Sequence, residues 1–265
     1  MTPIYLDYNA TTPIDSQVAE AMLPYIHGLY GNPSSGHAFG LEARAGVDRA
    51  RHQVASMLGC HDDEVLFTSG GTESDNHAIK GIAGADRARG NHVITSNIEH
   101  PAVEEVCRYL EIQGLEVTYL PVDGHGLIDP QQVEDAITDR TIMVTIMHAN
   151  NEVGTIQPIR EIADIAHRHG AVMHSDCAQS VGKIPVDVDD LGVDLLTIAG
   201  HKLYAPKGIG VLYIRRGVEI EKFMHGNRDT ILITFGEIIP LQHSRYGVFG
   251  RKVYYFREIH FTQPI

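Results

Sequence analysis

Cysteine is scarce in this sequence, with three among 265 residues, at Cys60, Cys107 and Cys177. No two of them form a CxxC pair, so neither a disulfide framework nor a zinc knuckle is expected, and a reducing compartment is. Apolar runs long enough to cross a bilayer are missing, and the N-terminus lacks the basic-then-apolar order of a secretory signal. The expected address is therefore cytoplasmic, with no membrane partner. Basic residues are few as well: 21 Lys+Arg stand against 34 Asp+Glu, a formal net charge of -13. A phosphate backbone would be repelled, which excludes nucleic acid as a non-specific partner, and an anionic ligand would need a local site.

What is present reads as an ordinary globular protein, 43% hydrophobic and 21% charged, long enough for a substantial core and a second small unit. Short β-branched runs at 64–68, 92–96, 116–120, 141–147, 171–174, 194–198 and 210–214 read as buried strands, with helical patterns between them. After Pro101, for example, Val103, Val106, Cys107 and Leu110 fall on one stripe, Pro101 suits a first helical position and Gly114 suits the end. Such alternation predicts an α/β fold, a mostly parallel sheet of about seven strands with helices on both faces.

The final stretch, 227–265, breaks this rhythm. It holds seven of the aromatics and more basic than acidic residues, against the acidic character of everything upstream.

In open parallel sheets ligands sit outside the carboxyl ends of the strands, which singles out the loops there. The first such loop is Ser69-Gly-Gly-Thr72, whose glycines allow close approach of the backbone and whose Thr72 opens a helix able to hold phosphate on its N–H groups. A plain strand–helix turn is the simpler reading of Gly-Gly-Thr alone. His100 follows the second strand, His148 and Asn151 the fourth, Asp176 and Gln179 the fifth, and His201 and Lys202 the sixth. Taken singly, an Asn suits a turn, an Asp suits a cap and a lysine suits solvent. Together they bring a phosphate cradle, an imidazole, an amide, a carboxylate and a lysine to one rim. That set matches the needs of pyridoxal 5'-phosphate (PLP): a helix N-terminus for its phosphate, a carboxylate for the pyridine nitrogen, a flat group over the ring and a lysine for the imine.

The strings Tyr5-Leu-Asp-Tyr-Asn-Ala-Thr-Thr-Pro13, Gly31-Asn-Pro-Ser-Ser35, Thr68-Ser-Gly-Gly-Thr-Glu-Ser-Asp-Asn76, Glu99-His100, Asn150-Asn-Glu-Val-Gly154, His174-Ser-Asp-Cys-Ala-Gln-Ser-Val-Gly-Lys183 and Gly200-His-Lys-Leu-Tyr-Ala-Pro-Lys-Gly208 occur in order. On them the chain resembles the class V aminotransferases, specifically the cysteine desulfurases and the closely similar selenocysteine lyases. The resemblance implies the PLP-dependent transferase fold (type I). It implies that Gly71 and Thr72 bind the phosphate, His100 stacks on the ring, Asn151 and Gln179 contact its O3' side, and Asp176 pairs with the pyridinium nitrogen. His201 would add a phosphate or ring-side contact, and Lys202 would be the Schiff-base lysine; no metal is implied. The family's usual serine two residues before the histidine is here Ala199, which removes one hydroxyl from the phosphate site and predicts heavier dependence on Thr72.

The reaction so implied turns L-cysteine into L-alanine and passes sulfur, as a persulfide, toward iron–sulfur cluster assembly or another acceptor, in a homodimer. In the family the sulfur is taken by a cysteine on a loop of a small C-terminal domain, and no residue here aligns with it. The match spans an N-terminal segment, 1–15, and a PLP-binding large domain, 16–226; 227–265 reads as a divergent tail replacing most of the small domain. The chain is thus expected to be truncated and impaired in sulfur transfer. Arg245 or Arg251 are the tail's candidates for a carboxylate partner, though solvated basic side chains are the commoner case. Cys177, next to Asp176, reads as a small core residue. The alternatives are a selenocysteine lyase, a non-catalytic PLP-binding scaffold subunit, and a metal hydrolase using His148, His174, Asp176 and His201.

Overall fold

The structure is a computed structural model, and it describes residues 3–225. The expectations for 227–265, Arg245 and Arg251 among them, lie outside the described residues.

Seven strands among the described residues form one sheet: β1 (Val65–Thr68), β2 (His92–Ser96), β3 (Glu116–Leu120), β4 (Thr141–Thr145), β5 (Val172–Asp176), β6 (Leu195–Ala199) and β7 (Gly210–Ile214). The order is β1-β7-β6-β5-β4-β2-β3. Strands β3, β2, β4, β5 and β6 pair in parallel, and β7 alone runs against both neighbours, β6 and β1. The sheet is thus mostly parallel, as the alternation predicts. One expectation needs correction: β3 is an edge strand, partly exposed rather than buried like β2, β4 and β6. Only Leu120 is fully buried and Glu116 is exposed, a gradation that a short β-branched run does not distinguish from full burial. The fourth strand also ends at Thr145 rather than at Met147, because the Met147 amide turns to the Glu99 carboxylate.

Helices α1 (Ser16–His27) and α2 (Ala38–Leu58) precede β1, and α3 (Gly71–Ala85), α4 (Pro101–Ile112), α5 (Pro130–Ala136), α6 (Ile159–Arg168) and α7 (Val188–Leu191) connect successive strands. In α4 the buried residues are Ala102, Val103, Val106, Cys107 and Leu110, the stripe read from the sequence, with Pro101 in the first turn. In α6 they include Ile159, Ile162, Ala163 and Ala166, the i, i+3, i+4, i+7 positions of one face. The two sheet faces carry separate cores. One packs α3 and α4 side chains such as Ile79 and Val103 against Val93, Met143 and Leu212; the other packs Val54 of α2 and Ile162 of α6 against Ile94, Met173 and Leu196. Full burial of each such branched side chain contributes about 1.5–3 kcal/mol.

This sandwich places the carboxyl ends of β2, β4, β5 and β6 on one rim, joined by the turn after β1. Gly210 of β7 matters to that arrangement: a methyl group there would stand 2.5 Å from the Gly70 carbonyl carbon. Only glycine lets β7 run this close to the start of α3.

Candidate active site

The turn after β1 leads straight into α3, whose N-cap, Gly70, offers no side-chain acceptor. Ser74 begins the regular pattern by donating to the Gly70 carbonyl, and its hydroxyl meets that of Thr68 at 2.7 Å. The first amides of α3 therefore face outward at the positive end of a 15-residue helix. Gly71 is half-buried and Thr72 exposed at this mouth. A methyl added at Gly70 would meet no atom within 4 Å, whereas one at Gly71 would come 3.3 Å from the Ala199 Cβ at the end of β6.

His100 is the N-cap of α4, its Nδ1 accepting the Ala102 amide at 3.1 Å. A neutral ring so held carries its proton on Nε2. Burial lowers its pKa, with Asp176 opposing that and Lys202 adding to it. Asp176 closes β5, and its Oδ1 accepts the Ala178 amide at 2.9 Å. The turn-forming role open to any Asp is thus filled; burial raises the Asp176 pKa, while the Ala178 amide and the Lys202 and His100 charges favour its ionised form. Lys202 ends a 3-10 turn, Gly200–Lys202, that continues β6, and is half-buried.

Asn151 and Gln179 reach the same rim but are gathered by a residue that sequence reasoning missed. Asn9 donates from Nδ2 to the Asn151 carbonyl at 3.2 Å and accepts from Gln179 Nε2 on its own carbonyl at 3.0 Å. The Asn151 amide itself donates to Glu152, and the neighbouring Asn150, not Asn151, holds the loop by accepting the Glu152 and Val153 amides. His201 points Nδ1 at the Thr11 hydroxyl, 3.2 Å away, while its carbonyl takes the Thr12 amide and hydroxyl. Burial and the nearby Lys202 and Lys207 lower the His201 pKa. Asn9, Thr11 and Thr12 belong to the Tyr5–Pro13 string, and the missed signal was its run of short polar side chains in a segment without helical or strand period.

Two further buried acids lie behind the rim, Asp75 and Glu99. Glu99 accepts the Met147 amide on both oxygens and the Ser96 hydroxyl, and burial pushes it up to about 8. The histidines of the metal alternative are otherwise engaged or scattered. His174 lies within β5 with Nδ1 on the Thr145 hydroxyl and Nε2 on the Thr197 hydroxyl, and among the described residues no group of three or more His, Cys, Asp or Glu is arranged to hold a metal ion. All three cysteine thiols are pushed up to about 12, chiefly by burial.

The donor set fits PLP. An uncapped helix start suits a phosphate, a buried carboxylate suits a pyridinium, and an imidazole and a lysine lie within electrostatic range of that carboxylate.

The family described as Aminotransferase class-V matches residues 4–237. A cysteine desulfurase IscS from Dictyoglomus turgidum is 53% identical over 223 residues, 84% of this chain and 57% of that protein. Another, from Methanosarcina thermophila, is 52% identical over 84% of this chain and 55% of its own length. Among solved structures, a NifS-like protein superposes with a TM-score of 0.82 at 41% identity, covering 84% of this chain and 62% of that one. A structure titled SspA in complex with cysteine gives 0.85 at 42% identity, covering 90% and 70%. The chain spans a little over half the length of the curated relatives it matches.

Proposed function

Since the chain belongs to the class V aminotransferase family, we propose that it is the cofactor-binding part of a PLP-dependent cysteine desulfurase. L-cysteine would be the substrate, L-alanine and transferable sulfur the products. The observation that carries this reading is the meeting of Lys202, Asp176 and the uncapped start of α3 on one rim, in a fold whose relatives are named cysteine desulfurases. The structure titled SspA in complex with cysteine supports an amino acid of this kind as the ligand.

When bound, PLP supplies an electron sink for the substrate's α-carbon. The chain's own residues would do the rest. Gly71 and Thr72 would hold the phosphate on the free amides of α3. Asp176 would keep a proton on the pyridine nitrogen, since its negative charge and buried position favour that cation over the neutral ring. His100, held by the Ala102 amide, would stand as a flat partner with an Nε2 proton to share. Lys202 would bind the cofactor covalently, and its release by the substrate would leave an amine able to carry protons at that carbon. Asn151 and Gln179, gathered by Asn9, would close the O3' side, and His201 would add a phosphate or ring-side contact.

Large apolar side chains stand exposed along the N-terminal segment, α1 and α2: Ile4 (84% exposed), Leu6, Ile26, Tyr30 (79%) and Phe39. This belt supports a second copy as the partner of the large domain, 16–226 with its N-terminal segment, in a homodimer. The IscS relatives support a sulfur acceptor, such as an iron–sulfur scaffold, as a further partner. Three free cysteines suit the reducing cytoplasm proposed as its compartment.

The test is reconstitution of the 265-residue chain with PLP, followed by measurement of alanine and sulfide from L-cysteine with an added thiol. Alanine formation that disappears in Lys202→Ala supports the reading. Binding of PLP without alanine, under conditions where a full-length relative turns over, leaves the scaffold alternative in its place.

A further inference from the structure

Two buried carboxyl groups lie behind the rim. Asp75, in the second turn of α3, is 1% exposed, and Asp176, at the end of β5, is 6% exposed. Burial, and after it the Asp176 charge, raises the pKa of Asp75. Their surroundings differ. Asp176 has an amide donor from Ala178 at 2.9 Å and faces both Lys202 and His100. Asp75 Oδ1 has no hydrogen-bond partner. The nearest basic group, His174 Nε2, stands 3.7 Å from it and is already engaged by the Thr197 hydroxyl at 3.1 Å, while Nδ1 meets Thr145 at 2.8 Å. Burial takes His174 down to about 3, so it brings no positive charge to Asp75.

Two carboxylates sharing a dry site do not both ionise, and the one supplied with donors and a cation takes the charge. We propose that Asp75 is a positioning residue that keeps the single proton of the Asp75–Asp176 pair, so that Asp176 alone carries the negative charge presented to the cofactor. The full set of groups around Asp75 favours this distribution. From β5 come Asp176 and His174, from the residue after it Cys177, from β6 Thr197, from the turn beyond that Lys202, and from the loop after β2 the buried Glu99. Burial and the Asp176 charge favour it most; a hydrogen bond from the Thr197 hydroxyl and the Lys202 charge oppose it, and Lys202 favours the charged form of Asp176 as well. The location of the proton rests on this packing alone, whereas its consequence for the cofactor rests on the PLP reading above.

The experiment titrates the carboxyl carbons of 13C-aspartate-labelled chain by NMR without cofactor, in the parent sequence, Asp75→Asn and Asp176→Asn, and then measures PLP affinity by absorbance. One aspartate carboxyl is expected to stay protonated at neutral pH and to vanish from the Asp75→Asn spectrum. PLP affinity is expected to stay within about twofold in Asp75→Asn and to fall at least about tenfold in Asp176→Asn. A protonated carboxyl that survives Asp75→Asn, or none at neutral pH in the parent chain, overturns the proposal. Should Asp75→Asn not fold, Asp176→Asn decides: removing the competing carboxylate must shift the retained signal toward the ordinary aspartate range, and a signal lost outright overturns the proposal. A parent chain that shows the protonated carboxyl yet binds no PLP contradicts the functional reading and leaves the proton where it was placed.

Discussion

The backbone carbonyl of His201 accepts both the amide and the hydroxyl of Thr12, at 2.8 and 2.9 Å, across 189 residues of chain. The same hydroxyl accepts the Tyr204 amide at 2.8 Å. Tyr204 is the one non-glycine among the described residues with positive φ, at 60°, a conformation that costs on the order of 1–3 kcal/mol and persists only where surroundings enforce it. Thr12 is thus the clasp that holds the turn bearing Lys202. Thr12→Val keeps the shape and removes the hydroxyl, leaving the Tyr204 amide unmatched. It should destabilise the chain by about 1–3 kcal/mol in urea unfolding and weaken PLP binding; unchanged values for both would show that the clasp is dispensable.

Ala199 faces Gly71 across the mouth of α3, where a methyl on Gly71 would come 3.3 Å from its Cβ. A hydroxyl introduced there points at the free amides of the helix start. Ala199→Ser should therefore tighten PLP binding about tenfold, the worth of one added bond to a charged group. In the parent chain, Thr72→Val should weaken binding more than it does in Ala199→Ser. Equilibrium dialysis against PLP for the four chains checks both expectations.

The thiols of Cys60, Cys107 and Cys177 are pushed up to about 12 by burial. At neutral pH the thiolate fraction is then on the order of one in 10⁵. Native protein should resist an aromatic disulfide reagent for far longer than the urea-unfolded chain, which should titrate three thiols. A thiol that reacts rapidly in the native state would identify a sulfur acceptor within these 265 residues and would correct the picture of three inert side chains.

Glu99 ties the His100 loop to the end of β4 through the Met147 amide. Burial raises its pKa from about 4.5 to about 8. Between those values the unfolded chain has released a proton that the folded chain retains. Stability contributed by the protonated form is complete below the lower value and is lost as pH rises through the upper one, at up to about 1.4 kcal/mol per pH unit. Glu99→Gln should flatten that decline in denaturation midpoints measured from pH 5 to 8.5. A slope unchanged in the variant would mean that Glu99 is ionised throughout.

Much of the fold was legible because the chain's periodicities are local. The stripe of Val103, Val106, Cys107 and Leu110 and the strand at 92–96 need no tertiary knowledge to be read. The antiparallel course of β7 was not legible in the strand itself, since a strand's sequence carries no direction; it follows from the short connection 200–209, which returns β7 directly beside β6. The edge position of β3 was hidden for a related reason, because a neighbour's absence leaves little trace in five residues.

At the site, the residues at strand ends were legible from chemistry and order. His100, Asp176 and Lys202 stand together electrostatically. Asp75 and Glu99 were not singled out as buried acids, because an acidic residue early in a helix or beside a cap reads as a solvated charge. Their burial depends on strands far away in sequence. Asn9 and Thr12 were quoted only as parts of a motif, and their work, bridging Asn151 to Gln179 and clasping His201, depends on a segment with no regular structure of its own.

The central claim is that Lys202 anchors PLP in this chain. Incubation with PLP, reduction with borohydride and peptide mass mapping test it directly. The account predicts one pyridoxyl adduct, on the peptide containing Lys202, and none in Lys202→Ala. An adduct confined to another lysine, or none on folded protein saturated with PLP, would contradict it.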